Sequence, residues 1–398
     1  MTRAPAARPD AIRRHNLSLL LREVHRHGEL TRAQLTQRLR LSRSTIGALV
    51  AELADAGLLE ERVPTGGERA GRPSHLVGPR PNGPYAIAVD IDITHVTTAA
   101  VGIGGTLLAR HLVHTDPAPS PPKAVARQVI SALHALSGQV PAGSWPVGIG
   151  VSVPGTVTRA TGMVEFAPNL DWRHERFGEI LSAAVPDGLP VSIGNDANLA
   201  VLAEHLRGNA RDTDDVIYLI GRVGVGAGIV VNGTLLGGHD GYAGEVGHNV
   251  VDPAGPLCHC GKRGCVETYI GDNALLELAG RRPDPNGSPV DAVFADAADG
   301  DQVALKAVRD VADALGRAIA SLVNVLNPQR VVLGGSLAHV YDLAAADLTQ
   351  SVQHHVFTSS PKTVELCPSA FGEDASLRGA AELAFASVLG DPLLGRQG

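Results

Sequence analysis

Residues 242–267 read Tyr-Ala-Gly-Glu-Val-Gly-His-Asn-Val-Val-Asp-Pro-Ala-Gly-Pro-Leu-Cys-His-Cys-Gly-Lys-Arg-Gly-Cys-Val-Glu, and they hold three of the chain's 4 cysteines. Cys258, Cys260 and Cys265 are too closely spaced for an ordinary disulfide framework, and Cys367 stands far away. Cysteines clustered this way point to a metal before a disulfide. With His248 upstream they make a Cys3His set, the number and type of ligands in a closed structural zinc site. Thiolate with imidazole selects Zn2+ over Mg2+ or Ca2+. Gly261 and Gly264 let the loop wrap tightly around an ion. His259 sits between two cysteines and competes for the fourth position. Free structural cysteines are the other reading of the cluster.

Around this run, polar residues interrupt apolar strand ends: Asn195-Asp196-Ala197-Asn198, Glu245 and Glu267. Carboxylates paired with amides are how a protein grips several sugar hydroxyls at once, and unpaired they would be costly to bury. Asp196 has the chemistry of a general base on a hydroxyl. The same four residues also read as a helix cap, since Asn and Asp are favoured there. Spacing leaves both readings open.

Toward the N-terminus the texture is different. Residues 11–27 keep Ile12, Leu17, Leu20, Leu21 and Val24 on one helical face. Thr31 can cap a short helix carrying Leu35 and Leu39, and Ser42 a third with Ile46, Leu49, Val50 and Leu53, ended by Gly57. Two short strands, at 58–63 and 72–78, flank a Gly-rich tip. Three helices and a hairpin make the winged helix-turn-helix pattern. A structural three-helix module would use the same apolar spacing. Small polar residues at the start of helix three (Ser42, Arg43, Ser44, Thr45) and the wing arginines Arg69 and Arg72 favour DNA binding.

Charge agrees with this division. The chain of 398 residues carries Lys+Arg 34 and Asp+Glu 41, a net −7. Residues 1–80 hold fourteen arginines, no lysine and eight acidic groups, whereas the remainder is strongly acidic. A basic head on an acidic body implies that only the head meets a polyanion. Aromatics at 3% argue against a base-stacking platform. The most apolar stretch, Val216–Val231, is too short and too broken by Arg222 and glycines to span a bilayer. The N-terminus lacks the apolar core of a secretory signal. A soluble cytoplasmic protein without a membrane partner is expected.

The run PRPNGP (79–84) reads as a hinge between a head, residues 1–78, and a body, residues 85–398. The body begins as a strand meander (YAIAVDIDI, THVTTAAVGI, TLLARHLVH), then a helix near 122–136 and the strand VGIGVSVPG. A second β-rich passage from Val216 leads to a long helix at 301–326, stopped by Pro328, and the strand RVVLGGS. Meanders followed by α/β units, occurring twice, predict two similar lobes with a cleft between them.

Five segments resemble the signatures of the ROK family of bacterial repressors and sugar kinases: VSVPG (151–155), PNLDW (168–172), NDANLA (195–200), YAGEVGHNVVDP (242–253) and CHCGKRGCVE (258–267). The resemblance runs along the whole chain. It implies an α/β protein with a winged helix-turn-helix in front of a two-lobed, actin-like (ribonuclease H-type) sugar-kinase fold. It further implies that Asn169, Asn195, Asp196, Glu245, His248 and Glu267 contact sugar hydroxyls. Asp196 would be the base in a kinase, and His248 would serve both zinc and sugar.

Departures from the kinase pattern bear on activity. Family kinases carry a first phosphate loop of the type Asp-Ile-Gly-Gly-Thr, where this chain has Asp90-Ile91-Asp92-Ile93-Thr94. The second, usually Gly-Thr-Gly-Ile-Gly, reads Arg222-Val223-Gly224-Val225-Gly226. Glycines let backbone N–H groups approach phosphates closely, and a carboxylate at 92 would repel them. The third, LGGSLA (333–338), is retained. The expectation is a non-enzymatic, sugar-responsive regulator, most simply a repressor, that binds a monosaccharide without phosphorylating it. Its partners would be a double-stranded operator and a second copy, as a homodimer or homotetramer, with one structural Zn2+ per chain. An active sugar kinase with a DNA-binding head, and a zinc-dependent interaction module, are the competing expectations.

Overall fold

The computed structural model describes residues 9–63, 75–115, 120–282, 289–357 and 364–393. The head opens with helices α1 (Pro9–His27), α2 (Arg32–Leu39) and α3 (Arg43–Asp55). Thr31 caps α2 in a capping box with Gln34, and the Ser42 hydroxyl accepts from the Thr45 N–H at the start of α3. Strands Leu59–Arg62 and Leu76–Pro79 pair antiparallel, and a two-residue strand, Leu30–Thr31, adds to the second of them. Two residues are too few for an alternating pattern, so this third strand leaves no trace in the sequence.

The body repeats one topology twice. In lobe one, strands Pro84–Ile91, His95–Gly102 and Leu107–His114 form an antiparallel meander. Strands Trp145–Val153 and Val191–Asn195 then add in parallel on the other side of the first. In lobe two, Val216–Gly221, Val225–Val231 and Thr234–Leu235 form the meander, and Arg330–Gly335 and Glu365–Pro368 add in parallel. A small sheet of Thr156–Thr158, Met163–Ala167 and Trp172–Glu175 is inserted in lobe one. Helix Asp196–Arg207 joins the lobes, and its first turn lies against the lobe-two sheet. A Cβ at Gly228 would stand 2.2 Å from the Ala197 carbonyl, so only glycine permits this approach.

The head does not hang on a free linker. Gly83 N–H closes a turn onto Arg80, and Arg80 N–H binds the Leu58 carbonyl. Leu17, Leu21, Val50 and Leu53 of the head share one continuous core with Ala86, Ala88, Leu377 and Phe385 of the body. The predicted hinge is therefore a tied turn beside a packed interface, because the same face of α1 that completes the head also meets the C-terminal helix Ala375–Gly390. A buried polar triad crosses that interface. His25 Nε2 and Arg207 Nε reach the two oxygens of Glu382 at 2.7 and 2.8 Å. Gly104 N–H donates to His25 Nδ1, which places the imidazole proton on Nε2, toward Glu382. The short contact between Arg207 and that same Nε2 is then an approach of two donors, held by the carboxylate and by the bond from Arg207 Nη1 to the His25 carbonyl at 2.6 Å.

Candidate functional site

The cleft between the lobes gathers all six residues expected to meet a sugar. Asn169, Asn195, Asp196, Glu245, His248 and Glu267 line one open cavity of about 120 Å³. Asn195 ends the last strand of lobe one and caps helix Asp196–Arg207, its Oδ1 accepting from Asn198 N–H. Its Nδ2 donates to the Gly155 carbonyl and to Asp196 Oδ1. Capping and site-building are thus the same arrangement: the cap fixes Asn195, and Asn195 aims Asp196. Asn169 comes from the short turn Pro168–Leu170 beside the inserted sheet, which sequence reading did not place. Glu245 and His248 flank a second short turn, Val246–His248.

Burial shapes the acids of this cleft. Desolvation raises the Asp196 carboxyl above its ordinary range despite the opposing pull of Arg222. Glu245, exposed to the cleft, is also raised, by partial burial and by its neighbours Asp196 and Glu267. Asp90, buried behind them, is pushed up to about 6, mainly by desolvation.

At one end of the cavity stand the predicted metal ligands. One donor atom each from His248, Cys258, Cys260 and Cys265 falls within 4.8 Å of the others. Cys260 Sγ and Cys265 Sγ are 3.7 Å apart, as are Cys258 Sγ and His248 Nδ1. Two sulfurs bonded to zinc at ~2.3 Å stand about 3.8 Å apart at tetrahedral corners, so these two spacings suit such an ion. His259 instead meets Glu267 Oε1 at 2.7 Å, and Cys258 Sγ reaches the same oxygen at 2.9 Å. Glu267 therefore stands between metal cluster and cavity.

At the other end lie the loops that begin at Asp92 and Arg222. Asp92 Oδ1 accepts from the Thr94 N–H, and Arg222 N–H binds the Gly224 carbonyl, so each loop satisfies a backbone donor internally. Arg222 Nη1 reaches Asp92 Oδ2 at 2.7 Å, and Nη2 reaches Glu373 at 3.3 Å. Sequence reading treated Asp92 and Arg222 as separate losses. Their pairing could have been suspected from the opposite charges at matching positions of the two lobes.

In the head, Ser42, Arg43 and Ser44 are exposed and Thr45 half-buried at the start of α3. Ser42 Oγ bonds both Ser44 and Thr45 hydroxyls at 2.8 Å, ordering that tip. Arg69 and Arg72 lie outside the described residues. Within the head, Arg13, Arg32, Arg38 and Arg62 are engaged by Glu52, Glu61, Glu23 and Glu29. Arg43 and Arg40 enter no ion pair among the described residues. Arg40 caps the C-terminus of α2 in the left-handed conformation, between α2 and α3.

The model of the ROK family matches residues 86–387. The chain belongs to the ROK family. The MarR family model matches residues 18–70, within the winged head. Along its whole length this ROK protein is similar to a Bacillus subtilis xylose repressor, with 28% identity covering 94% of this chain and 95% of the relative. The crystal structure of a ROK transcriptional regulator, a homologue of the E. coli MLC protein, covers 95% of this chain and 97% of its own at TM-score 0.77 and 25% identity. The body alone resembles the ROK glucokinase of Streptomyces griseus, solved with glucose and AMPPNP: TM-score 0.67, 29% identity, 75% of this chain and 98% of that one. The head thus separates the whole-length regulators from the kinase. Among the described residues no helix is long and apolar enough to cross a membrane.

Proposed function

We propose that this ROK protein is a sugar-responsive transcriptional repressor. Its α3 enters the major groove of a double-stranded operator, and its cleft binds a monosaccharide without phosphorylating it. The observation that carries this reading is the coexistence, in one packed chain, of an ordered polar recognition tip and a sugar cleft whose phosphate loops are closed on each other. Asn169, Asn195, Asp196, Glu245, His248 and Glu267 grip the sugar hydroxyls, as the convergence of amides and carboxylates in one cavity supports. Asp196 then acts as a ligand, not as a base. Phosphoryl transfer depends on positioning and neutralising the phosphates, whereas here Thr94 N–H is committed to Asp92 and the guanidinium of Arg222 to carboxylates. Pentoses and hexoses, with xylose and glucose first, are the natural panel, given the names of the relatives.

A structural Zn2+ held by His248, Cys258, Cys260 and Cys265 would fix the Val246–His248 turn, and so two of the sugar ligands. A homodimer or homotetramer in the cytoplasm would present paired α3 helices to an inverted repeat, with Ser42, Arg43, Ser44 and Thr45 near base edges and the wing residues Arg69 and Arg72 along the backbone or minor groove. The test combines operators selected from random DNA with each sugar in turn, alongside an assay of ADP release. Sugar-dependent operator affinity without turnover is the expected result. Steady sugar-dependent ADP release, abolished by Asp196→Ala, would establish a kinase instead.

A further inference from the structure

Arg222 and Asp92 come from opposite lobes. Asp92 closes the hairpin after Pro84–Ile91 in lobe one, and Arg222 opens the turn after Val216–Gly221 in lobe two. Their 2.7 Å contact spans the cleft at the end where a ROK kinase would need its phosphate loops. Arg222 also contacts Glu373, in the turn that leads into the C-terminal helix. That helix carries Glu382, the acid that receives His25 of the head.

We propose that the Asp92–Arg222 pair is a clasp that takes the place of nucleotide phosphates, holding the lobes together without a nucleotide and making Asp92, which occupies the guanidinium of Arg222, the residue that restricts the cleft to neutral ligands. This rests on the sugar-binding reading above and names the class of sugar: unphosphorylated. The cavity wall carries Asp92, Asp196, Glu245 and Glu267, and Arg222 is its one arginine. The guanidinium is already shared among Asp92 and Glu373, with Asp90 and Asp196 adding to its field. His248 and His259 stand at the metal end, beside Glu267. Among the described residues an entering phosphate finds no uncommitted cation and several carboxylates, while a neutral sugar meets carboxylate and amide oxygens able to accept its hydroxyl protons. In a kinase the nucleotide bridges both lobes; here a side-chain pair does so permanently, leaving the sugar as the variable element.

The experiment uses the full-length protein and its Asp92→Asn, Arg222→Gln and Asp92→Arg/Arg222→Asp variants. Calorimetry measures inorganic phosphate, ATP, glucose and glucose 6-phosphate, and small-angle scattering measures lobe separation. Asp92→Asn keeps the shape of the side chain but removes the charge that faces the guanidinium across the cleft. It should gain affinity for inorganic phosphate by about tenfold or more over the wild type, as a charge-assisted contact becomes available. Arg222→Gln should leave the lobes further apart, and the charge-reversed double variant should close them again. An Asp92→Asn protein with unchanged phosphate affinity, or an Arg222→Gln protein as compact as the wild type, would overturn the clasp. Neither readout involves the operator. If both behave as expected while no sugar alters operator binding, the clasp stands and the repressor reading falls.

Discussion

Replacing Glu382 by glutamine should loosen the head from the body without dismantling either. The carboxylate takes His25 of the head at 2.7 Å across the interface and Arg207 of the body at 2.8 Å, with all three side chains largely out of water. Burial by itself would raise this acid. The attraction of His25 and Arg207 outweighs it and holds the carboxyl at about 2, against an ordinary 4.5. That difference corresponds to about 3 kcal/mol at neutral pH. Removing one partner from a buried pair typically costs ~3–5 kcal/mol, because the remaining charge stays buried. Native-state hydrogen exchange reads this directly, since about 1.4 kcal/mol is tenfold in an opening equilibrium. At pH 7, protection of Leu17–Val24 and of the C-terminal helix should fall by about a hundredfold in Glu382→Gln. Because the folded-state value is depressed, the stabilisation is fully present above about pH 4.5 and lost as pH falls toward about 2. The two proteins should therefore converge through that interval. Unchanged protection of α1 at pH 7, or a difference independent of pH down to about 2, would refute the triad as the latch.

Other consequences follow from the same geometry. Arg43→Ala should relax operator selectivity, each lost bidentate base contact costing roughly 1–3 kcal/mol of discrimination, whereas Arg40→Ala should weaken all DNA alike and lower the salt dependence measured by anisotropy. Chelation, or Cys260→Ser, should abolish sugar binding in calorimetry and expose residues 242–267 to protease while the head keeps its protection. Metal analysis should return one zinc per chain, and well under one in carefully purified protein would count against the site. Asp196→Ala should lose the calorimetric sugar signal yet keep wild-type operator affinity.

Local signals in the sequence were enough to read the helices of the head and both lobes, whereas the full set of cleft residues came from the resemblance to the ROK family. Thr31 and Ser42 announce α2 and α3 because caps are local chemistry, and Asp301 does the same for the long helix Gln302–Leu326. The cysteine spacing located a cluster whose four donors then met in space. What stayed hidden depends on long-range packing. PRPNGP has the composition of a linker, yet Arg80 ties it to Leu58 and the apolar face of α1 shares a core with the C-terminal helix. His25, Arg207 and Glu382 are ordinary surface residue types in the sequence, separated by up to 357 positions, and only the fold buries them together. The inserted sheet that supplies Asn169 is made of three short, irregular strands with too little alternation to stand out.

A sugar-responsive repressor requires a link between cleft and head, and one titration tests it. A labelled operator selected from random DNA is held at half-saturation by the wild-type protein, and by Asp196→Ala, while a monosaccharide that binds the cleft by calorimetry is added. For a nearly complete switch the sugar must favour one arrangement by about 5.5 kcal/mol. The wild type should change its operator occupancy over the same sugar concentrations that saturate the cleft, and Asp196→Ala should not respond at all. A sugar that saturates the wild-type cleft and leaves operator occupancy unchanged would contradict the account.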